Sequence, residues 1–575
     1  MEKRWLVKEK PTDEKLGQLA GKLNIEPVLA TLLVQRGIES FDEARHFFRP
    51  QLEMLHDPFL MKNMDRALDR LEHAIQQQEK VLLFGDYDVD GTTAVALLYN
   101  LLKPYLPELD FYIPDRYAEG YGISFKGIDH AKANGQRLVI ALDCGIKAHE
   151  KVDYAKAAGI DFIICDHHEP GDTIPDAIVL DQKQSDCLYP YKELSGCGVG
   201  FKLMQAFFEK RGLDKTPLYQ NLDLLTLSIA ADIVPVTGEN RILSYFGLEL
   251  INKRPRKGVL ALLKQAKKEL PLTLTNVVFV LAPRINAAGR IHEGKKAVQL
   301  LISEDQKELN SLAASIEQDN FERRALDEQI TNEALQQIEG DSAFAGRKTT
   351  VVFNENWHKG VIGIVASRLI ENHYKPTIVL TESNGKITGS ARSITGLNIH
   401  DALEKCRIHL EQFGGHAYAA GMTLEKHQLE AFCARFEEVV QSSLPDSELV
   451  PEQQVDYHLS FSEIYTTGEN VYEIPKFKRI LNQLEPHGPG NMKPVFVSRN
   501  VFAEDVRVLK DVHLKLVLSQ PDTGLEMQGI AFNMAHKLDL LTSKNPVDIL
   551  YTLETNAWNN KESLQLNIKD IRSTI

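Results

Sequence analysis

The sequence predicts a multidomain α/β protein whose chemistry sits on a mostly parallel sheet. Three observations lead there. Short apolar runs alternate with helical stretches between residues 80 and 181, acidic residues follow the ends of those runs, and 575 residues exceed what one hydrophobic core organises.

Residues 1–75 read as an amino-terminal helical segment. Strand-like runs then fall at 81–84, 110–113, 138–142, 161–165 and 177–180, with helices expected near 92–102, 125–133 and 148–157. Strands alternating with helices give a parallel sheet covered on both faces, and ligands of such sheets gather beyond the carboxyl ends of the strands. This unit is expected to span 76–302. Between 304 and 338 there is no proline or glycine, while Leu309, Leu312, Ile316, Leu326, Ile330 and Ile338 recur at mostly helical spacings, which predicts a connecting helix across 303–340. A second α/β unit, 341–448, has strands at 349–353 and 377–380, a helix at 361–370 and a glycine-rich stretch at 413–421. From 449 to 575 five β segments, at 496–509, 513–519, 526–532, 547–553 and 564–571, suit a small barrel of the OB-fold type.

Bulk properties exclude several classes. With 43% hydrophobic and 25% charged residues, no apolar run approaches the ~18 residues that span a bilayer. The charged start, Met1 to Pro11, lacks the apolar core of a secretory signal, so the cytoplasm is the expected location. Six scattered cysteines, Cys144, Cys165, Cys187, Cys197, Cys406 and Cys433, form no CxxC pair and are expected reduced. A net charge of -14 argues against a protein that coats nucleic acid, although part of the acid excess belongs to metal sites and residues 253–268 form a basic segment.

The acids at the strand ends carry the chemistry. In Gly85-Asp86-Tyr87-Asp88-Val89-Asp90-Gly91, three carboxylates alternate directly after a strand, a crowding that a divalent cation relieves. An EF-hand calcium loop is the competing reading, but it needs a preceding helix and a glutamate at its twelfth position. Asp143 repeats the strand-acid-glycine arrangement, Asp166-His167-His168 mixes carboxylate with imidazole, and Asp232 lies in an apolar stretch where a buried acid needs a partner. Each is ordinary alone. Their common position at strand ends in one topological order points to metal-assisted phosphoester hydrolysis, in which two cations about 4 Å apart activate water and neutralise the leaving oxygen.

These four clusters resemble the DHH phosphoesterase superfamily, named after the triplet that stands here at Asp166 to His168. Further motifs resemble its single-strand-specific DNA exonucleases: Arg284-Ile285-Asn286-Ala287-Ala288-Gly289-Arg290, Trp357-His358-Lys359-Gly360-Val361-Ile362-Gly363, and Gly414-Gly415-His416-Ala417-Tyr418-Ala419-Ala420-Gly421. The resemblance spans roughly residues 50 to 575 and implies a DHH domain followed by a DHHA1 substrate-binding domain. It implies that Asp88, Asp143, His167 and Asp232 bind one ion, that Asp90 completes a second site, and that Asp143 bridges the two, the metal being Mn2+ or Mg2+. His168 would donate a proton or orient a ligand; Asp86 stays open between ligand and support.

Ser390 and Arg392 alternate on a strand-like segment and so face the same side, where a surface salt bridge is the plainer reading. On the resemblance they grip a 5′-terminal phosphate together with Arg116. Arg284, Asn286 and Arg290 then contact backbone phosphates, and Gly414, Gly415 and His416 form a substrate-binding loop. Tyr117, Tyr121, Trp357 and Tyr418 are candidates for stacking on unpaired bases.

The implied function is 5′→3′ hydrolysis of single-stranded DNA to 5′-mononucleotides in repair and recombination, alongside a helicase and a single-strand-binding protein. Two alternatives stand beside it. A small-substrate DHH phosphodiesterase or pyrophosphatase needs only the two α/β domains, and a catalytically inactive DNA-binding scaffold would have lost metal ligands that this chain keeps.

Overall fold

Apolar runs with no polar alternation become strands covered on both faces. The computed structural model describes residues 2–465, 469–470, 473–558 and 561–574. β1 (Arg4–Val7) lies apart from the first sheet, which comprises β2 (Val81–Gly85), β3 (Leu109–Tyr112), β4 (Leu138–Leu142), β5 (Asp161–Cys165) and β6 (Ile178–Leu180). These pair in the order β3-β2-β4-β5-β6, parallel throughout. β2 and β4 are buried at every position, as a doubly covered parallel sheet requires. Chain order reverses between β2 and β4, and the crevice beyond their carboxyl ends is where Asp86 and Asp143 emerge.

Helices from Gly196–Lys210 to Lys295–Ile302 share the sheet's hydrophobic core. One of them, Leu222–Ala231, is buried along most of its length and ends at Asp232. The expected connecting helix is Gln306–Gly340, opened by Asp305, whose carboxylate accepts from Glu308 N at 2.7 Å. At ~1.5 Å per residue it extends about 50 Å. Its first half is tied to the helix Ala282–Ile291 by the Arg284–Glu317 ion pair, and its second half to the helix Ile362–His373 by buried Asp327 and Arg368, 2.8 Å apart.

The second α/β unit has β7 (Thr350–Phe353), β8 (Thr377–Ser383), β9 (Lys386–Arg392), β10 (Gln412–His416) and β11 (Ala419–Leu424) in the order β10-β11-β9-β8-β7. Only the β7–β8 pair is parallel. Next come β12 (Glu452–Val455), β13 (Tyr457–His458), β14 (Phe496–Leu509), β15 (His513–Gln520), β16 (Leu525–Ala531), β17 (Val547–Trp558) and β18 (Lys561–Ser573). Pairing runs β14-β15-β16-β18-β17, and β17 returns to β14, closing a five-stranded barrel as the five β segments predict.

The amino-terminal helical segment divides its packing between two cores. β1 pairs in parallel with β12, and Leu16, Leu19, Leu29 and Leu32 join Phe461, Phe477 and Phe496 in the barrel's core. Met61, Met64 and Leu68 instead pack into the first domain. Helical periodicity marks which face of a helix is buried but not what covers it.

Candidate metal centre

His167 lies at the focus of the strand-end acids. Its Nε2 is 3.2 Å from Asp143 Oδ1, 3.5 Å from Asp232 Oδ2 and 3.8 Å from Asp90 Oδ2. Each neighbour is fixed by its own element. Asp88 caps the helix Val89–Leu102, accepting from Gly91 N at 3.1 Å, which places Asp90 in the first turn. Asp90 accepts from Gly196 N, Cys197 N and Ser228 Oγ at 2.7, 2.8 and 2.7 Å. Asp143 follows β4 with φ 60, a left-handed conformation that turns its carboxylate across the sheet edge. Gly196 must be glycine, because a Cβ there would lie 2.6 Å from Asp143 Oδ1.

Two groups of donor atoms are close enough to share an ion: Asp143, His167 and His168, and Asp90, His167 and Asp232. Among the described residues, the buried atoms Asp143 Oδ1, His167 Nε2 and Asp86 Oδ2 make no hydrogen bond. Buried polar atoms are nearly always partnered, so the orphans Asp143 Oδ1 and His167 Nε2, which belong to those donor groups, fit a divalent cation as the missing partner. The electrostatics agree. Burial, reinforced by Asp90 and Asp88, raises Asp143 well above the carboxylate range; burial and Asp88 do the same to Asp86, and burial and Asp90 bring Asp232 up to about 8. Burial also lowers His167, favouring the neutral imidazole that ligates metals.

His168 has a different environment. Its Nδ1 is 2.7 Å from Asp166 Oδ1, and its Nε2 is 3.2 Å from the hydroxyl of Tyr121, which itself donates to the Asp143 carbonyl at 2.9 Å. Burial opposes the imidazolium, but the hydrogen bond and charge of Asp166 outweigh it and hold His168 up to about 9. The supporting roles of Tyr121, Ser228 and Gly196 carry no sequence signal apart from proximity to a motif.

Across the cleft, Ser390 and Arg392 share one face of β9, with Arg392 Nη1 donating to Ser390 Oγ at 3.0 Å. Gly363, in the first turn of the helix Ile362–His373, lies directly against these side chains: a Cβ would lie 2.9 Å from Arg392 Nη2. Arg116 sits 4.7 Å over the Tyr87 ring. Arg290 is half-buried, donates to Gly360 O at 3.1 Å, and is pulled down to about 10 by desolvation and by Arg116, Arg323 and Arg392. Among the described residues no carboxylate hydrogen-bonds to Arg116, Arg290 or Arg392, so this cluster of positive charge is suited to an anion. Gly414, Gly415 and His416 are exposed on β10, and partial desolvation together with the charges of Arg392 and His168 lowers His416.

Two residues expected at phosphates are engaged elsewhere. Arg284 grips Glu317 with Nε and Nη2 and donates to Val280 O, and Asn286 Oδ1 accepts from Val89 N at 3.1 Å, bracing the helix that begins at Asp88. Trp357 is only 4% exposed and donates to Glu333, as a packing residue does. Tyr117 donates to the Arg290 carbonyl, whereas Tyr121 and Tyr418 are 53% and 60% exposed beside the cleft motifs.

A parallel sheet that gathers aspartates and a histidine at its carboxyl edge, with Arg116 and Arg290 beside it and Arg392 on a second α/β unit, defines a metal-dependent phosphoesterase of the DHH class. Residues 80–229 match the DHH family N-terminal domain, 346–442 the DHHA1 domain and 469–570 the RecJ OB domain. The chain is 38% identical over 573 residues to the single-stranded-DNA-specific exonuclease RecJ of Bacillus subtilis, covering 99% of this chain and 70% of that one. Two crystal structures of RecJ from Thermus thermophilus are similar throughout. The Mn2+ complex has a TM-score of 0.85 at 28% identity, covering 100% of this chain and 80% of that one; the Mg2+ complex has 0.78 at 25%, covering 100% and 79%. The chain belongs to the RecJ family.

Proposed function

We propose that this chain is a single-stranded-DNA-specific 5′→3′ exonuclease that hydrolyses phosphodiester bonds and releases 5′-mononucleotides. The observation that carries the reading is the pairing of two features in one site: orphaned buried donor atoms at Asp143 and His167, and guanidinium groups with no carboxylate hydrogen bond at Arg116 and Arg290 of the same unit and Arg392 of the second. Asp88, Asp143, His167 and Asp232 would hold one ion, and Asp90 would complete a second site. Asp86, buried and repelled by Asp88, supports the loop from behind. When bound, Mn2+ or Mg2+ supplies activation of the attacking water and neutralises charge around phosphorus.

The protein's own residues do the rest. Arg392, Ser390 and Arg116 grip the terminal phosphate, so only a chain end seats its first phosphodiester at the aspartates, which gives the polarity. Arg290, Gly414, Gly415 and His416 line the path of the following phosphates, and Tyr121 and Tyr418 offer exposed rings to unpaired bases. His168, kept charged by Asp166, donates a proton to the departing 3′ oxygen of the terminal nucleotide. The OB-like barrel adds a second single-strand surface.

The domain limits that follow are 76–302 for the DHH unit, 303–340 for the connecting helix, 341–448 for DHHA1 and 449–575 for the OB-like part, with residues 1–75 shared between the first and the last. Work beside a helicase and a single-strand-binding protein in repair, in the cytoplasm, suits such an activity; among the described residues no helix is long and apolar enough to cross a membrane. Incubation with Mn2+ and single strands labelled at either end tests the reading. Release of labelled 5′-mononucleotide from the 5′ end is expected. Cleavage confined to dinucleotides or pyrophosphate, or binding without cleavage, would overturn it.

A further inference from the structure

Asp232 is held in place by chain that lies far away in sequence. It caps the end of the helix Leu222–Ala231, and the next residue, Ile233, has φ 60. A β-branched residue adopts that conformation only where its surroundings enforce it. Enforcement comes from the next three residues. The Pro235 carbonyl accepts from the Tyr191 hydroxyl at 3.1 Å and from Asn240 Nδ2 at 3.0 Å, and Val236 N donates to the Pro489 carbonyl at 2.7 Å.

Pro489 belongs to a turn, 484–492, that leads into the barrel. Asn491 Nδ2 bonds the Leu484 and Pro486 carbonyls, and Gly488 and Asn491 exchange backbone hydrogen bonds. Its glycines permit close approach: a Cβ on Gly488 would lie 2.4 Å from Val236 Cγ2, and one on Gly490 2.8 Å from Thr237 Cγ2. Two arginines clamp the turn. Arg36 bonds Asn491 Oδ1 and the Met492 carbonyl, while Arg241, 3.7 Å over the Phe47 ring, donates to the carbonyls of Phe47, Gln483, Leu484 and Pro486.

We propose that the turn 484–492 is a positioning element of the metal centre: through the Pro489 carbonyl it fixes Val236, the strained Ile233 and hence the carboxylate of Asp232. The affinity for one cation then depends on the segment entering the C-terminal barrel. This rests on the assignment of Asp232 as a ligand, and the test separates the two.

Mn2+ binding to the full chain is followed by the electron paramagnetic resonance signal of the free ion, with the unfolding midpoint measured in parallel. Gly488→Ala, which drives a methyl group into Val236, is expected to weaken one ion by about tenfold, in the range found for residues that orient a metal ligand. Gly488→Ala combined with Val236→Ala removes the obstructing Cγ2 and is expected to restore the affinity. Asp232→Asn is the reference: unchanged Mn2+ binding there would remove the ligand assignment and the inference with it. If Asp232→Asn weakens binding but Gly488→Ala binds as the parent does, or if the double variant fails to recover, the positioning role is overturned. Should Gly488→Ala not fold, Arg241→Lys, which keeps the charge but loses donors to the turn, decides in its place: weaker Mn2+ binding supports the role and parental binding overturns it.

Discussion

Asp166 Oδ1 lies 2.7 Å from His168 Nδ1 and also accepts the backbone N–H groups of His167 and His168, so one carboxylate sets both the orientation and the charge of the second histidine in the triplet. The two histidines therefore differ in state as well as in position, His167 neutral towards the acids and His168 charged towards the cleft.

His168→Ala is expected to lower kcat on single-stranded DNA by about 10²- to 10⁴-fold, the usual contribution of a general acid, while Mn2+ affinity changes little. Single-turnover rates and calorimetric titration of Mn2+ together check this. A loss of metal binding equal to that of Asp143→Asn would make His168 a ligand instead.

Asp143→Asn is expected to abolish Mn2+-dependent digestion. It also relieves the repulsion among buried acids, so in chelator the variant is expected to melt a few degrees above the parent, and added Mn2+ is expected to raise the parent's midpoint alone. Thermal melts with and without chelator measure both effects; a variant that melts lower in chelator would mean that the acids are not in conflict.

Arg392→Ala removes a charge-assisted contact to the terminal phosphate and is expected to raise KM for 5′-phosphorylated strands by about 10- to 100-fold. Strands ending in a 5′-hydroxyl should be far less affected. Equal losses on both ends would exclude the terminal-phosphate pocket.

His487 gives a pH prediction. Burial holds it down to about 3 in the folded protein, against an ordinary value of 6.5. Between these values the unfolded chain binds a proton that the folded chain does not, so stability is full above about pH 6.5 and falls as pH drops towards 3. His487→Gln is expected to flatten the decline of the unfolding midpoint between pH 6.5 and 5; an unchanged slope would assign that decline to other groups.

Strand-end acids are legible because two local signals coincide, an apolar run and the acid that terminates it. Asp86, Asp88, Asp90, Asp143 and His167 are proposed that way, and the alternation of Ser390 and Arg392 on β9 is read from a strand's two-residue period. What escapes the sequence is partnership at long range. Arg284 looks like a phosphate ligand until Glu317 is brought to it by the long helix, and Asn286 until Val89 N is. Trp357 looks available for stacking until Glu333 and the core enclose it. The amino-terminal helices likewise show amphipathic faces, but no local pattern states that the barrel covers them.

The seam between β1 and β12 pairs Arg4 with Glu452, and beside it Arg572 lies 3.9 Å over the Trp5 ring. On a ribosome adding about 5–20 residues per second, residues 4–7 leave the exit tunnel on the order of 20–90 s before their partner strand exists. During that interval a strand with open hydrogen-bonding edges waits in the crowded vicinity of other nascent chains. A late-meeting seam of this kind leaves residues 4–7 open to chaperone capture until the segment 452–455 has been made.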